Sequence, residues 1–469
     1  MKERIFIDQL GGHKGEKVSV YGWIHIRRDH GKLIFLDLRD TSGLVQMVAL
    51  PEHDGVIEEA SKLRSEFVVE ITGNVNERPE RMVKEGLNGD IEIEILGVKI
   101  ISESETPPFD LTEDTSGIDE EARLKYRYLD LRTQRMQNNL KTRSEFGRIA
   151  REFLHTRRFT EIETPILTEA TPEGARDFVV PARLQPGSFY ALPQSPQQYK
   201  QLLMNAGFDR YFQFAQCFRD EDLRADRGFE FTQLDLEMSF VTEEEVLSLT
   251  EEMMIDAAEK LGQTIKEVPF PRIPYAEAME KYGADKFDLR TEEEKEAGIL
   301  AYAWVVDFPM FEKDDNTGNW TFTHNPFSAP KEADLEKHMK GEDIESIKAQ
   351  QYDLVCNGSE AGGGSIRAHD PEVLKATYRI MGNTEEEIEE NIGHMLDAFK
   401  RGVPPHGGIA LGVERTIMNY VNEDALREVQ AFPTTRKGKT AVMSGPSELD
   451  QKTLQELSIV STKKKEKEE

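Results

Sequence analysis

The sequence predicts an α+β chain in two parts, a small N-terminal β-barrel followed by a larger domain on an antiparallel sheet flanked by helices. Three observations predict it. Five short strand patterns crowd into residues 17–102, a proline- and acid-rich stretch follows, and beyond it helical periodicities alternate with strands that carry charged residues. With 469 residues the chain has length for two or three domains.

Residues 18–26, 33–39, 44–50, 67–74 and 91–101 mix apolar and polar positions with a period near two, and Gly31, Gly43 and Gly89 punctuate the turns. A helical pattern over 56–63 separates the third strand from the fourth. Five strands with that helix outline an OB-fold barrel, although another small β-barrel fits the same pattern. Residues 105–122, with Pro107, Pro108, Gly117 and many acids, cannot build a core and read as a linker. The domains are therefore placed at 1–104 and 123–469, with a low-complexity, disordered tail over about 461–469.

In the second domain, Met136, Leu140, Phe146, Ala150 and Phe153 recur at helical spacing. Strands are expected at 161–167, 178–181, 189–192, 211–218, 229–240, 303–308, 352–355 and 365–369, and further helices at 243–261 and 385–401. The strands over 211–218 and 229–240 should form one long antiparallel hairpin.

Charge and composition exclude several classes. The formal net charge is −29, which repels polyanions at long range, so any nucleic-acid contact must be local. Between Arg123 and Arg158 eleven Lys and Arg face three acids, which suits either a local nucleic-acid contact or a solvated helix face. The sequence has no apolar run of membrane-spanning length, and the N-terminus carries Glu3 and Asp8, so a cytoplasmic chain with no membrane partner is expected. Cys217 and Cys356 read as structural thiols in strand interiors.

No phosphate-binding glycine loop, Rossmann turn, zinc-protease motif or nucleophile elbow occurs. Instead, charged residues sit on strands, where alternation can aim several side chains at one face of a sheet. Arg219, in Phe218-Arg219-Asp220-Glu221, is fit to fork onto an α-phosphate, although an Arg-Asp-Glu run also suits a surface ion-pair row. Arg415, after Gly412 at a helix start, could cover one face of an adenine with Phe231 over the other. Asp353 and Glu360 stand seven apart before Gly362-Gly363-Gly364, a hard-oxygen pair suited to Mg²⁺ bridging phosphates.

The Thr164-Pro165 turn, the Phe218–Glu221 segment and Gly412-Val413-Glu414-Arg415 resemble the three signature motifs of class II aminoacyl-tRNA synthetases. Gly174-Ala175-Arg176-Asp177, Ala191-Leu192-Pro193-Gln194-Ser195-Pro196-Gln197 and Gly362-Gly363-Gly364-Ser365-Ile366-Arg367 resemble bacterial-type aspartyl-tRNA synthetases along nearly the whole chain. That resemblance implies ATP and L-aspartate as substrates, Mg²⁺, tRNA(Asp) as partner and a homodimer. It implies that Arg219, Glu221, Phe231, Glu360, Gly412 and Arg415 bind ATP, with Arg219, Glu221 and Arg415 catalytic, and that Asp353 and Glu360 hold the metal. It implies an aspartate site of Glu173, Ser195, Gln197, Lys200, Arg219, Asp235, His324 and Arg367, in which Arg367 and Lys200 clamp the substrate side chain. His324 equally suits an ordinary surface histidine. In the barrel, Arg28, Phe35 and Gln46 match positions that read the anticodon, although Phe35 also suits barrel core. His30 resembles enzymes that charge tRNA(Asn) as well.

The chain departs from the family pattern in three places. The usual inserted domain is missing between Leu289-Arg290 and Trp304, Gly228-Phe229 replaces a glutamine-proline pair, and Asn325 stands where a second histidine is common. Lysyl- and asparaginyl-tRNA synthetases, an amidating asparagine synthetase and a non-catalytic RNA-binding paralogue are the rival readings. The Arg367 and Lys200 pair argues against the first two.

Overall fold

The computed structural model describes residues 4–171, 174–314 and 317–462. The chain divides into two compact units, Met1–Arg135 and Met136–Glu469.

In the first unit, β1 (Lys17–Asp29), β2 (Ile34–Arg39), β3 (Leu44–Ala49), β4 (Val68–Glu77) and β5 (Ile91–Ser102) close into a barrel of order β1-β2-β3-β5-β4. Helix α1 (Val56–Lys62) follows β3, which completes the OB-fold outline. Alternation decides what fills the barrel. Ile34, Leu36 and Leu38 point inward and are buried, whereas Phe35 and Asp37 lie on the outer face. Phe35 is thus not barrel core.

The second unit holds α2 (Gln134–Thr156), whose Phe146, Ile149, Ala150 and Phe153 form one buried stripe. Its sheet has eight strands. They are β6 (Thr160–Glu161), β9 (Arg210–Phe218), β10 (Glu230–Ser239), β11 (Arg272–Pro274), β12 (Tyr302–Val306), β15 (Gln351–Cys356), β16 (Ser359–Ile366) and β17 (His406–Gly412). The small pairs β7 (Val179–Pro181) with β8 (Phe189–Ala191), and β13 (Phe311–Lys313) with β14 (Trp320–Phe322), stand apart. The six central strands are antiparallel, but both edges, β11 against β12 and β6 against β9, pair in parallel, so the sheet is mixed rather than antiparallel throughout.

Alternation on the central strands explains why this sheet can carry a site. On β10, Leu234, Leu236 and Met238 face the core, and Phe231, Gln233, Asp235 and Glu237 face the other way. On β15, Tyr352 and Leu354 pack into the same core, and Gln351 and Asp353 face away. Helix α3 (Glu243–Lys260) contributes Val246, Met253 and Met254 to that core, and Trp304 is wholly buried in it. Burying each such side chain contributes on the order of 1.5–3 kcal/mol.

Two expectations need correction. The strand expected over 161–167 shrinks to Thr160–Glu161, because the Pro165 turn cannot continue the ladder. The strand expected at 365–369 instead runs over Ser359–Ile366, straight through the triple glycine. A Cβ at Gly362 would lie 2.6 Å from Leu411 Cδ2, at Gly364 2.8 Å from Tyr352 Cε2, and at Gly363 2.8 Å from Asp353 Oδ1. The glycines therefore let large side chains of the flanking strands lie over β16 on both faces.

The eleven basic residues of 123–158 are largely engaged within the protein. Arg127 pairs with Asp130, Arg132 with Glu66, Arg143 with Glu414, Arg148 with Glu145 and Arg151 with Glu161. Arg148 and Arg151 on α2, exposed and ion-paired, fit a solvated helix face.

Gly364→Ala is expected to destabilise the second unit by about 1–3 kcal/mol, since overpacking a closed strand pair forces backbone shifts. Its Cβ would also lie 2.1 Å from the Gly408 carbonyl oxygen. Gly412→Ala, whose nearest neighbour would be 3.8 Å away, should leave the urea midpoint nearly unchanged. Equal midpoints for the two variants would contradict the packing described.

Candidate active site

A cleft of about 400 Å³ opens over the polar face of the sheet. Its wall brings together Ser195, Gln197, Lys200, Arg219, Glu221, Phe231, His324, Asp353, Glu360, Arg367, Gly412 and Arg415. Three arginines far apart in sequence thus share one space.

The β9–β10 hairpin positions one wall. Arg219 follows β9, and its amide donates to the Phe229 carbonyl (2.9 Å), which fixes the strand end. Its guanidinium carbon lies 5.0 Å from the centroid of Phe231, and its Nε is buried with no hydrogen-bond partner. Glu221 accepts from Arg227 at 3.3 Å.

The opposite wall is the junction of β17 with helix α4 (Val413–Val421), where Gly412 is the N-cap. Glu414 turns inward and accepts from the Thr232 amide (3.0 Å) and from Arg143 (2.8 Å), tying the helix to β10 and α2. Arg415, next along, enters the cleft, where it donates to the Glu360 carbonyl (3.1 Å) and pairs with Asp226 (3.4 Å).

On the floor, four charges are almost entirely buried. Arg367 donates from Nε and Nη2 to both oxygens of Glu237 (2.9 and 3.1 Å) and from Nη1 to Ser365 (2.7 Å). Lys200 donates to Asp235 (2.5 Å) and lies 3.6 Å from Glu237. Burial alone would lift Glu237, but Arg367 and Lys200 outweigh it and hold the carboxyl below its ordinary value. Burial wins at Asp235, which is pushed up despite Lys200.

The floor corrects two expectations. Arg367 and Lys200 are not bare cations awaiting a substrate, because Glu237 and Asp235 already neutralise them. Asp235 does not line the cleft but sits behind Lys200, with Oδ2 buried and unpartnered.

Asp353 and Glu360 meet across Gly363. A Cβ there would lie 2.8 Å from Asp353 Oδ1 and 3.6 Å from Glu360 Oε1. Burial lifts Asp353 to about 6. Burial would lift Glu360 too, but Lys286 and Arg415 hold it down to about 2. Asp353 Oδ2 is buried without a hydrogen-bond partner. Hard oxygens arranged so, one of them unsatisfied, fit a magnesium ion that takes its remaining ligands from water and phosphate. Among the described residues no group of three or more His, Cys, Asp and Glu side chains could hold a metal without such help.

His324 is half-buried in the cleft wall with its ring edge-on to Phe308 (4.7 Å), not an ordinary surface histidine. Asn325 lines the same wall and accepts from the Phe327 amide (3.0 Å). Glu173 lies outside the described residues, as does 463–469 of the tail.

In the barrel, Arg28, Phe35 and Gln46 line a groove of about 550 Å³ on the outer face. Arg28 is held by Asp37 through two 2.8 Å hydrogen bonds, Gln46 donates to Glu92 (3.1 Å), and His30 stands edge-on to Phe35 at 5.6 Å.

Residues 119–436 match the family model of tRNA synthetases class II (D, K and N), and residues 18–101 that of the OB-fold nucleic acid binding domain. The Staphylococcus aureus (strain NCTC 8325 / PS 47) protein named aspartate–tRNA ligase is 37% identical, covering 95% of this chain and 97% of that protein. The chain belongs to the aspartate–tRNA ligase family of class II synthetases. The fold is shared with the asparaginyl-tRNA synthetase of Pyrococcus horikoshii complexed with asparaginyl-adenylate (TM-score 0.72, 24% identity, 92% of this chain and 98% of that one). It is shared also with the aspartyl-tRNA synthetase of Entamoeba histolytica (TM-score 0.73, 22% identity, 92% and 91%). The alignment to the Staphylococcus ligase runs over 570 positions against 469 residues here, so that ligase has more than a hundred residues without a counterpart. In this member of the family only the five-residue helix Glu292–Glu296 and its turns bridge Arg290 to β12.

Sequence reasoning missed Glu237, Gln233, Glu414 and Asp226. The alternation of Gln233, Asp235 and Glu237 with Leu234, Leu236 and Met238 was the available signal for the first two. Glu237→Gln is expected to cost about 3–5 kcal/mol in a denaturant titration, because it leaves a buried guanidinium uncompensated. The stability that Glu237 supplies is present in full above its unfolded value of 4.5 and is lost as pH falls below it. That acid slope should be absent from the variant.

Proposed function

We propose that the cleft activates L-aspartate with ATP and then passes the aspartyl group to the 3′ end of tRNA(Asp). In the first step an aspartate carboxylate oxygen attacks the α-phosphorus and pyrophosphate leaves, giving aspartyl-adenylate. In the second, the terminal ribose hydroxyl attacks the activated carbonyl, losing its proton, and AMP leaves. Neither step needs a protein nucleophile, so catalysis is positioning and charge stabilisation. The observation that carries this reading is the convergence of Arg219, Arg367 and Arg415 with Lys200, Asp353 and Glu360 on one cleft.

Arg219 forks onto the α-phosphate, where charge grows during attack. Phe231 and Arg415 take the adenine and Glu221 its edge, with Gly412 allowing close backbone approach. Asp353 and Glu360 would hold Mg²⁺, which neutralises phosphate charge when bound. Ser195, Gln197, His324 and Glu173 serve the amino-acid end, with Arg367 and Lys200 toward the substrate side chain and Asp235 acting only through Lys200. A guanidinium has five N–H donors. Three of those on Arg367 are engaged, which leaves two to read an incoming carboxylate. An amide there offers one oxygen and an NH₂ group that meets donors, so asparagine is disfavoured.

Phe35 and Gln46 suit single-strand reading by stacking and edge pairing, and the resemblance of His30 to enzymes that charge both acceptors extends the proposal to tRNA(Asn). A homodimer accounts for Ile166, Leu167, Val179 and Phe189 being 48–58% exposed around the Thr164-Pro165 turn. No helix among the described residues is long and apolar enough to cross a membrane, and a cytoplasmic enzyme is proposed.

ATP–pyrophosphate exchange with a panel of amino acids tests the first step. Exchange should appear only with L-aspartate and fall at least about a hundredfold in Arg219→Ala. Best exchange with asparagine or lysine would overturn the reading. Phe35→Ala should leave exchange intact while weakening tRNA binding by about 1–3 kcal/mol. Charging of purified tRNA(Asn) transcript decides the relaxed choice, and Leu167→Asp should shift sedimentation from dimer to monomer.

A further inference from the structure

Lys286 has no role in the scheme above, yet its Nζ lies 2.8 Å from Glu360 Oε2. Its position is fixed on both sides. Gly283, in the left-handed region at φ 70°, ends the helix Tyr275–Tyr282. Phe287 is buried and stacked on Tyr282 at 4.3 Å. The Gly358 amide donates to the Phe287 carbonyl (3.1 Å), pinning this segment to the turn between β15 and β16. The lysine side chain between them is 36% exposed.

Glu360 is therefore a divided carboxylate. Its Oε2 faces Lys286 and, at 3.9 Å, Arg415 Nη1. Its Oε1 faces Asp353 Oδ1 across the bare Cα of Gly363. A divalent cation shared by the two acids would bring two further positive charges beside the ammonium. Such crowding on one half-buried carboxylate is unfavourable, so cation and lysine cannot both sit on Glu360 at full strength. A cation on a long, flexible stem can move from one anion to another.

We infer that Lys286 is the protein's own stand-in for the divalent cation: it neutralises Glu360 while nucleotide is absent, and it passes to the phosphates of ATP when the cation enters with them. The inference rests on the adenylate-forming reading of the cleft. It makes metal and nucleotide enter together, because the metal alone must displace Lys286 with no phosphate to receive it.

Lys286→Met and Lys286→Arg in the full chain, with thermal midpoints confirming the fold, test this in two equilibrium measurements. Mn²⁺ alone is titrated by electron paramagnetic resonance, and a non-hydrolysable ATP analogue with Mg²⁺ by calorimetry. Lys286→Met should bind Mn²⁺ alone about tenfold more tightly and the analogue about tenfold more weakly, while Lys286→Arg stays near wild type in both. Unchanged affinities in Lys286→Met mark a merely structural ion pair and overturn the inference. Weakening of both does the same, since a lost scaffold explains it. A wild-type chain that fails to bind the analogue rejects instead the underlying reading of the cleft.

Discussion

The period-two alternation of β10 between β9 and β17 is the constraint on which the rest depends. One face of that strand supplies Leu234, Leu236 and Met238 to the core, and the other supplies Phe231, Gln233, Asp235 and Glu237. Slipping the strand by one residue would send two carboxylates into the apolar layer and three large apolar side chains into the cleft, so the core itself enforces the register. The functional face therefore needs no separate folding device. It is held by the same pairing that buries Trp304 and Tyr352 beneath it.

Burying four charges under the cleft is costly unless they are paired and hydrogen-bonded. Glu237 with Arg367 and Asp235 with Lys200 meet that requirement at distances of 2.5–3.1 Å. The arrangement removes net charge from the floor but not its direction. Arg367 is held in one plane by Glu237, so its remaining donors project along fixed lines, and in the proposed reading an incoming carboxylate is judged by geometry as well as charge. Gly408 belongs to the same device: a Cβ there would lie 2.3 Å from Glu237 Oε2, so only glycine leaves that carboxylate its place on the sheet.

Much of this was legible in the sequence. The barrel strands, helix α1, the long β9–β10 hairpin and the convergence of Arg219, Arg367 and Arg415 followed from period, turn residues and motif likeness. The strand expected at 365–369 begins after the triple glycine, a residue type with low strand propensity. Only the positions of Leu411, Tyr352 and Asp353 on neighbouring strands reveal why β16 must lack side chains there. Pairing partners were equally hidden. Glu237 lies 130 residues from Arg367, and nothing local in either segment tells which carboxylate will answer which cation. Phe35 was undecided for a different reason. A polar neighbour such as Asp37 shares its face in any register, so only barrel closure settles which face is inside.

The charge of −29 constrains how such an enzyme takes up a polyanion. The net charge gives no long-range attraction, so any neutralisation of phosphates must be local. The basic helix is spent on intramolecular pairs with Glu145, Glu161 and Glu414. In the barrel Arg28 is likewise committed to Asp37. Beside Arg81 and Lys84, the outer groove holds a half-buried aromatic ring, Phe35, with a histidine edge against it and the Gln46 amide nearby. In the proposed reading the ring and the amide gain free energy from bases, through stacking and edge hydrogen bonds that salt screens little, and the cations from phosphates. On that reading, base contacts would discriminate among RNA sequences while phosphate contacts only position them, which suits a synthetase that must reject most of the tRNA it meets.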